Sequence, residues 1–177
     1  MTPQNTRRSE IFYILGLGSN LPIPERNIEN AIILLQKKGF KILKYSSFYL
    51  SEPAGYRDQP IFVNLTLLLQ TDLKPLKLLK KIKKIEKEMG RVKTFKNGPR
   101  KIDIDILLGE EVFFKDKKLK IPHKNFLKRP FEFLPSLEVS PDFIHPIQKK
   151  TLKEIGERIS FKIKAVKSIK PEITLSS

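Results

Sequence analysis

Apolar positions along the chain change period in a regular order, and that order predicts the elements. Ile11–Leu15 is a β-branched and aromatic run, expected as a buried first strand, and Gly16-Leu17-Gly18-Ser19-Asn20 after it is expected as a tight turn. Pro24-Glu25 opens a helix, Ile28, Ala31, Ile32 and Leu35 repeat at helical spacing, and Gly39 ends it. Residues 40–51 alternate loosely and are expected as one long strand. A polar, proline-punctuated loop over 52–60 leads into a strand over 61–69. Leu78, Ile82, Ile85 and Met89 form one apolar stripe in a helix over 73–90, with its lysines on the solvated face. Gly98-Pro99 is a turn, after which Ile102, Ile104 and Ile106 alternate with polar residues as a strand. This order, strand–helix–strand–strand–helix–strand, predicts an α+β, ferredoxin-like βαββαβ sandwich with C-terminal additions.

The additions begin with 111–114 and 118–121, expected as a hairpin around 115–117. Helix and proline-rich loop follow from Phe133 through His145-Pro146. Ile159, Phe161, Ile163 and Ala165 alternate again, and the pattern gives 156–177 no role. No internal repeat or low-complexity linker breaks the chain, so 1–177 is expected to be a single domain with residues 1–10 as a flexible N-terminal tail.

Composition excludes more than it identifies. With 40% hydrophobic and 31% charged residues among 177, the chain is globular. It has no cysteine and only two histidines, which removes disulfides, thiolate sites and His-rich zinc sites. No secretory h-region precedes Glu10, and no apolar run reaches the roughly 18 residues of a membrane span, so a cytoplasmic protein without membrane association is expected. The formal charge of +16 attracts polyanions, but ATP and nucleic acid satisfy it equally.

The densest chemistry lies in Asn97-Gly98-Pro99-Arg100-Lys101-Ile102-Asp103-Ile104-Asp105-Ile106. On a strand Asp103 and Asp105 share a face, with Cα atoms roughly 6.6 Å apart. Two carboxylates so placed can converge on one Mg²⁺ or bridge two, and Arg100 offers a planar fork to a phosphate. They also suit a half-buried strand with a solvated acidic face. Gly16-Leu17-Gly18 is neither a dinucleotide fingerprint nor a Walker loop, since the third glycine and the lysine are missing. Phe62 and Asn64 share a strand face, where a ring and a carboxamide could hold a flat heterocycle or simply serve the core.

Gly98-Pro99-Arg100-x-x-Asp103-Ile104-Asp105-Ile106-Leu107 resembles the signature of the 6-hydroxymethyl-7,8-dihydropterin pyrophosphokinases of folate synthesis. The resemblance runs collinearly from about Ile11 to Ile155 through Gly18-Ser19-Asn20-Leu21, Ser46-Ser47-Phe48-Tyr49, Asp58-Gln59-Pro60 with Asn64, Gly90-Arg91 and Pro122-His123. It implies transfer of a diphosphate from ATP to the pterin hydroxymethyl group, leaving AMP. Asp103 and Asp105 would hold two Mg²⁺, with Arg91 and Arg100 as the further catalytic residues. ATP would be bound by Glu86, Arg91, Lys93, Arg100, Ile106, Lys118, His123 and Arg129. The pterin would meet Ser51, Pro53, Ala54, Phe62, Asn64, Asp103 and Phe131, its ring between the two phenylalanines with Asn64 at the inner end. Residues 91–97 would form a loop that closes over ATP, bringing Arg91 and Lys93 to the phosphates. Here the chain departs from the family pattern, with Lys93 for arginine, Asn97 for an aromatic and a loop about one residue short. Elsewhere Phe62 stands for tyrosine and Lys83 for glutamine. The partners implied are ATP and the pterin, with a monomer and no nucleic acid expected.

Two other classes share features with this reading. A basic RNA-binding module has the same βαββαβ order, but no strand carries its Lys/Arg-Gly-aromatic run, and paired aspartates repel phosphate. A metal-dependent phosphate-ester hydrolase would use the same aspartates but needs an activated water.

Overall fold

The computed structural model describes residues 9–92, 94–162 and 164–176. The expected 1–10 tail falls mostly outside them, as do Lys93 and Ile163. In chain order the elements are β1 (Ile11–Ser19), α1 (Pro24–Lys37), β2 (Lys41–Tyr45), β3 (Tyr49–Ser51), β4 (Phe62–Thr71), α2 (Pro75–Glu88) and β5 (Asp103–Gly109). A short hairpin of β6 (Phe114–Lys115) and β7 (Lys120–Ile121) follows, then α3 (Pro130–Val139), α4 (Leu152–Gly156) and β8 (Ala165–Lys167). The main sheet is antiparallel in the order β5-β1-β4-β3-β8, with β2 also paired to β4. This is the ferredoxin-like βαββαβ arrangement, the second strand being split into β2 and β3.

Local chemistry explains the boundaries. Pro24, Pro75 and Pro130 each stand in the first turn of a helix, where the missing N–H has no helical partner to lose. Gly39 follows α1 at φ +91° and Gly90 follows α2 at φ +82°, the left-handed geometry that ends a helix at least cost with glycine.

Strand alternation divides the core between two faces of the sheet. On one face Leu15 and Leu17 of β1, Leu65 and Leu67 of β4, and Ile104 and Ile106 of β5 pack beneath Ile28, Ile32 and Leu35 of α1 and Leu78, Ile82 and Ile85 of α2. On the other, Ile14, Leu107 and Leu108 pack with Phe126, Phe133, Phe143, Leu152 and Ile155 from the C-terminal additions. The additions therefore build the sheet's second layer.

Two expected elements differ in the structure. Residues 16–19 are the end of β1 rather than a turn. Their alternation with glycine hid the strand, because glycine leaves no side chain to register a face. The single strand over 40–51 is broken at Ser46-Ser47-Phe48, where buried Ser46 and Ser47 turn their hydrogen bonds inward. The Ser46 hydroxyl donates to Ser47 O and accepts from Thr66 N–H, taking a place in the ladder that backbone would otherwise fill.

Leu67 is fully buried on the central strand under both helices of the first layer. Leu67→Ala is expected to lower the unfolding free energy by about 2–5 kcal/mol, read from equilibrium urea denaturation.

Candidate active site

The second face of the sheet is open near the C-terminal end of β1, and register explains how. Gly18 pairs with Asn64 of β4 on one side and with Asp103 of β5 on the other, while Gly16 pairs with Asp105. Asn64, Asp103 and Asp105 therefore stand around a floor that carries no side chain. A Cβ on Gly18 would come to 3.3 Å from Asn64 Oδ1, and one on Gly16 to 3.0 Å from Leu107. The floor belongs to a cleft whose walls include Ser51, Ala54, Phe62, Asn97, Arg100, Arg129, Phe131 and Glu132. Phe62 comes up from β4 and Phe131 down from the first turn of α3, so sheet and helix each supply one ring.

Asn64 is fixed in one orientation. Its amide donates to Tyr49 O at 3.0 Å and to Ser51 Oγ at 2.8 Å, which uses both N–H bonds. Its oxygen, on the side of Gly18, is left as an acceptor.

A second cleft opens beyond β5 between α2 and the β6–β7 hairpin. Lys83, Lys118, Lys120 and Lys124 make it basic, His123 adds a ring, and Ile106 contributes an apolar patch. Asp105 lines both clefts and is the partition between them.

The charges around that partition are strongly coupled. Asp103 receives Arg91 at 3.0 Å on one oxygen and Arg100 at 2.8 Å on the other. Arg91 also bonds Glu86, whose buried carboxylate accepts from Ile104 N–H at 2.8 Å and from Lys83 at 3.3 Å. Glu86, expected at the nucleotide, is thus spent inside the protein holding Arg91 and the edge of β5. Burial, reinforced by the carboxylates of Asp103, Glu132 and Glu86 and opposed by Lys83, pushes Asp105 up to about 7. Glu132 is raised too, chiefly by burial, even though Arg129 donates to one of its oxygens at 2.9 Å. Its other oxygen has no hydrogen-bond partner and lies 3.8 Å from His123 Nδ1.

Of the expected site residues, Ser51, Ala54, Phe62, Asn64, Arg100, Asp103, Asp105, Arg129 and Phe131 meet at the first cleft. Ile106, Lys118 and His123 meet at the second. Arg129, assigned with the nucleotide group by resemblance, stands on the first cleft with its guanidinium 5.7 Å from the Phe131 ring centroid. Pro53 is not among the lining residues, although Ser51, Glu52 and Ala54 around it are. Lys93 lies outside the described residues. Arg91, expected to arrive with loop closure, is already seated on Asp103. The loop has an apolar anchor as well, because Phe95 packs edge-on against Tyr56 at 4.9 Å and Gln59 donates to Asn97 O at 2.7 Å.

Sequence reasoning missed two residues. Asn20 accepts from Arg100 N–H at 2.8 Å, and its amide donates to Gln59 Oε1 at 2.8 Å and Pro60 O at 3.1 Å. It joins the Gly-Pro-Arg turn to the loop after β3. Glu132 follows Phe131 directly, and its i,i+3 spacing from Arg129 was the available signal.

Comparison with known proteins places this geometry among relatives. Residues 14–141 match the family model described as 7,8-dihydro-6-hydroxymethylpterin-pyrophosphokinase (HPPK). The 2-amino-4-hydroxy-6-hydroxymethyldihydropteridine pyrophosphokinase of Aquifex aeolicus is 47% identical over 140 residues, covering 79% of this chain and 87% of the relative. That of Haemophilus influenzae is 38% identical over 133 residues, 75% of this chain and 83% of the relative. The folic acid synthesis protein fol1 of Schizosaccharomyces pombe is 38% identical over 153 residues, and the chain spans only 21% of its length. A crystal structure of wild-type Plasmodium falciparum HPPK-DHPS with pteroate shares the fold at a TM-score of 0.66 and 18% identity, over 85% of this chain and 42% of that one.

The same geometry makes a pH prediction for stability. Burial, then the nearby positive charges of Arg129 and Lys124, lower His123 to about 4. Its Nδ1 accepts from Asn125 N–H at 3.3 Å, which suits a neutral ring. The folded value is below the ordinary 6.5, so the unfolded chain takes a proton that the folded chain refuses. The neutral ring's contribution is complete above pH 6.5 and is lost as pH falls from 6.5 towards 4. Relative to His123→Gln, the wild type is expected to lose about 2 kcal/mol across that window in denaturant titrations. A stability difference that stays constant with pH would contradict it. Taking the difference cancels the parallel trend from His145, and Glu132, which lies against His123 and trends the opposite way, is replaced by Gln in both proteins so that its titration does not enter.

Proposed function

The chain belongs to the 7,8-dihydro-6-hydroxymethylpterin-pyrophosphokinase family, and from that premise we propose that it transfers the diphosphate of ATP to 6-hydroxymethyl-7,8-dihydropterin in folate synthesis. The observation that carries the proposal is Asp105 dividing an aromatic cleft from a basic one. The pterin enters the first cleft between Phe62 and Phe131, and the Asn64 oxygen accepts from its ring N–H and amino donors. ATP enters the second, where lysines and His123 meet its phosphates and Ile106 meets its apolar face. The pterin hydroxyl oxygen then bonds to the β-phosphorus in line with the departing α–β bridging oxygen, its proton passes to solvent, and AMP leaves with the bridging oxygen.

The donor set fits Mg²⁺. Asp103 and Asp105 are hard oxygen donors on one face of β5, and burial, reinforced by the carboxylates beside it, holds Asp105 above its ordinary value, which suits a site that takes up positive charge. Among the described residues no group of three or more His, Asp or Glu forms a metal site on its own, which suits an ion that completes its shell with water and phosphate oxygens. Asp103 and Asp105 would hold two Mg²⁺ together with ATP, and the ions when bound supply charge that neutralises the polyphosphate and polarises the attacking hydroxyl. Arg91 and Arg100, now spent on Asp103, are the planar cations that can turn to the phosphates as charge moves onto AMP. Asn20 holds the Arg100 backbone, so this cation stays beside β5 whether or not loop 91–97 moves.

The same proposal takes 9–176 as a single domain acting as a monomer in the cytoplasm, on two small molecules rather than on nucleic acid.

Incubation with ATP, Mg²⁺ and the hydroxymethyl pterin is expected to yield AMP; ADP or free phosphate in its place would sink the reading. Asp103→Asn and Asp105→Asn are each expected to lower kcat by at least about a hundredfold while the protein stays folded. Asn64→Ala is expected to weaken pterin binding about tenfold and leave ATP binding nearly unchanged. Equal losses for both substrates would remove Asn64 from the pterin site.

A further inference from the structure

Residues after α4 carry no role in the reaction above, yet they reach the wall of the aromatic cleft. β8 pairs with β3 in the register Tyr49↔Lys167, Leu50↔Val166 and Ser51↔Ala165. β3 is only three residues long, and it supplies both acceptors that orient Asn64. Without β8 it would be a short edge strand with one neighbour, the kind that frays.

The break before β3 depends on the same segment. Phe48 is buried, its N–H donates to Ile169 O at 2.9 Å, and its carbonyl accepts from Ser168 N–H at 2.7 Å. Buried backbone groups need such partners, and here none comes from β4. Farther along, the Tyr45 hydroxyl accepts from Ile173 N–H at 2.9 Å and lies 3.0 Å from Pro171 O, while Ile173 and Leu175 pack on the core.

One side chain ties this strap to the opposite wall. Glu138, in the last turn of α3, accepts from both Ser47 N–H and the Ser47 hydroxyl, and from Lys167 at 2.8 Å. Its helix carries Phe131 at the other end. Glu138 thus joins the helix that bears one ring, the break that leads into β3, and the strand that covers it.

We propose that residues 165–176 and Glu138 form a brace that sets the aromatic cleft to the shape of one flat heterocycle, so that the strap is a positioning element for the pterin and not for ATP. The inference rests on the assignment of that cleft to the pterin. Glu86 and Lys83 support the second cleft from α2, on the opposite face of the sheet, and do not touch the brace.

Two variants test it, Tyr45→Phe at the far anchor and Glu138→Gln at the junction. Neither residue lines the aromatic cleft or the basic one. Each is expected to weaken pterin binding about tenfold while ATP binding stays within about twofold. Amide hydrogen exchange at Phe48, Tyr49 and Ser51 should rise in parallel, with the amides of α2 unchanged. Should Glu138→Gln fail to fold, Lys167→Ala breaks the same junction more gently. Unchanged exchange at 48–51 in these variants, or equal loss of affinity for both substrates, would overturn the brace. A wild-type protein that binds ATP but no pterin would instead sink the functional assignment, and the exchange data would then decide the brace alone.

Discussion

Gly18 lies between Asn64 on one neighbouring strand and Asp103 on the other, and the missing Cβ keeps the cleft floor open between them. A side chain there would press on the Asn64 oxygen, the one group of that carboxamide not already bonded within the protein. Much else follows from this row by the parity of antiparallel strands. If Gly18 faces the second layer, so do Gly16, Asn64, Phe62 and both aspartates, while Leu15, Leu17, Val63 and Leu65 must face the first. A slip of one residue between β1 and β5 would bury two carboxylates under α1 and α2, a far costlier state than the native one. The apolar residues that enforce register thereby enforce the site as well.

Electrostatics then decides how the row behaves before any substrate arrives. Asp103 has two guanidiniums and pairs with both, whereas Asp105 is raised by burial, with three carboxylates near it and one lysine in opposition. The two aspartates share a strand face but not an environment. One is satisfied within the protein and one is left short of positive charge, facing the clefts on both sides. That imbalance supports the proposed site for cations with their anionic ligand, in which the arginines on Asp103 would be charge that can be reassigned.

The βαββαβ order and both helices were legible because their apolar positions repeat with the right periods, and Asp103 and Asp105 were legible because a strand allows only two faces. The end of β1 was not, since Gly16 and Gly18 look like a turn until a neighbouring strand shows what they make room for. The break at 46–48 was hidden for a related reason. Its hydrogen bonds go to Thr66, Glu138 and Ile169, partners up to 121 positions away that no local pattern reveals. Which residues would line a cleft came from resemblance, and the structure then separated them. It gave Glu86 to the interior and Arg129 to the first cleft, because each found an opposite charge three to five positions along the chain.

Glu86 and Glu138 are two solutions of one problem. Each stands in the last turn of its helix, where the helix dipole disfavours a negative charge by about 0.3–1 kcal/mol. Each nevertheless accepts a backbone N–H that the sheet leaves unpaired, Ile104 at the free edge of β5 and Ser47 at the break before β3. A cation completes both arrangements, Arg91 in the first and Lys167 in the second. For Glu138, burial alone would raise the carboxyl, but the bonds from Lys167 and Ser47 outweigh it and hold it below its ordinary value. A hydrogen bond to an ionised acceptor is worth about 1.5–3 kcal/mol, enough to exceed the dipole penalty. The layer of α1 and α2 is thus pinned to the sheet at the free edge of β5, and the layer of α3 at the break before β3. In a chain with 35 basic and 19 acidic residues, those two acids stand where an unpaired N–H would otherwise loosen the walls between which the substrates must meet.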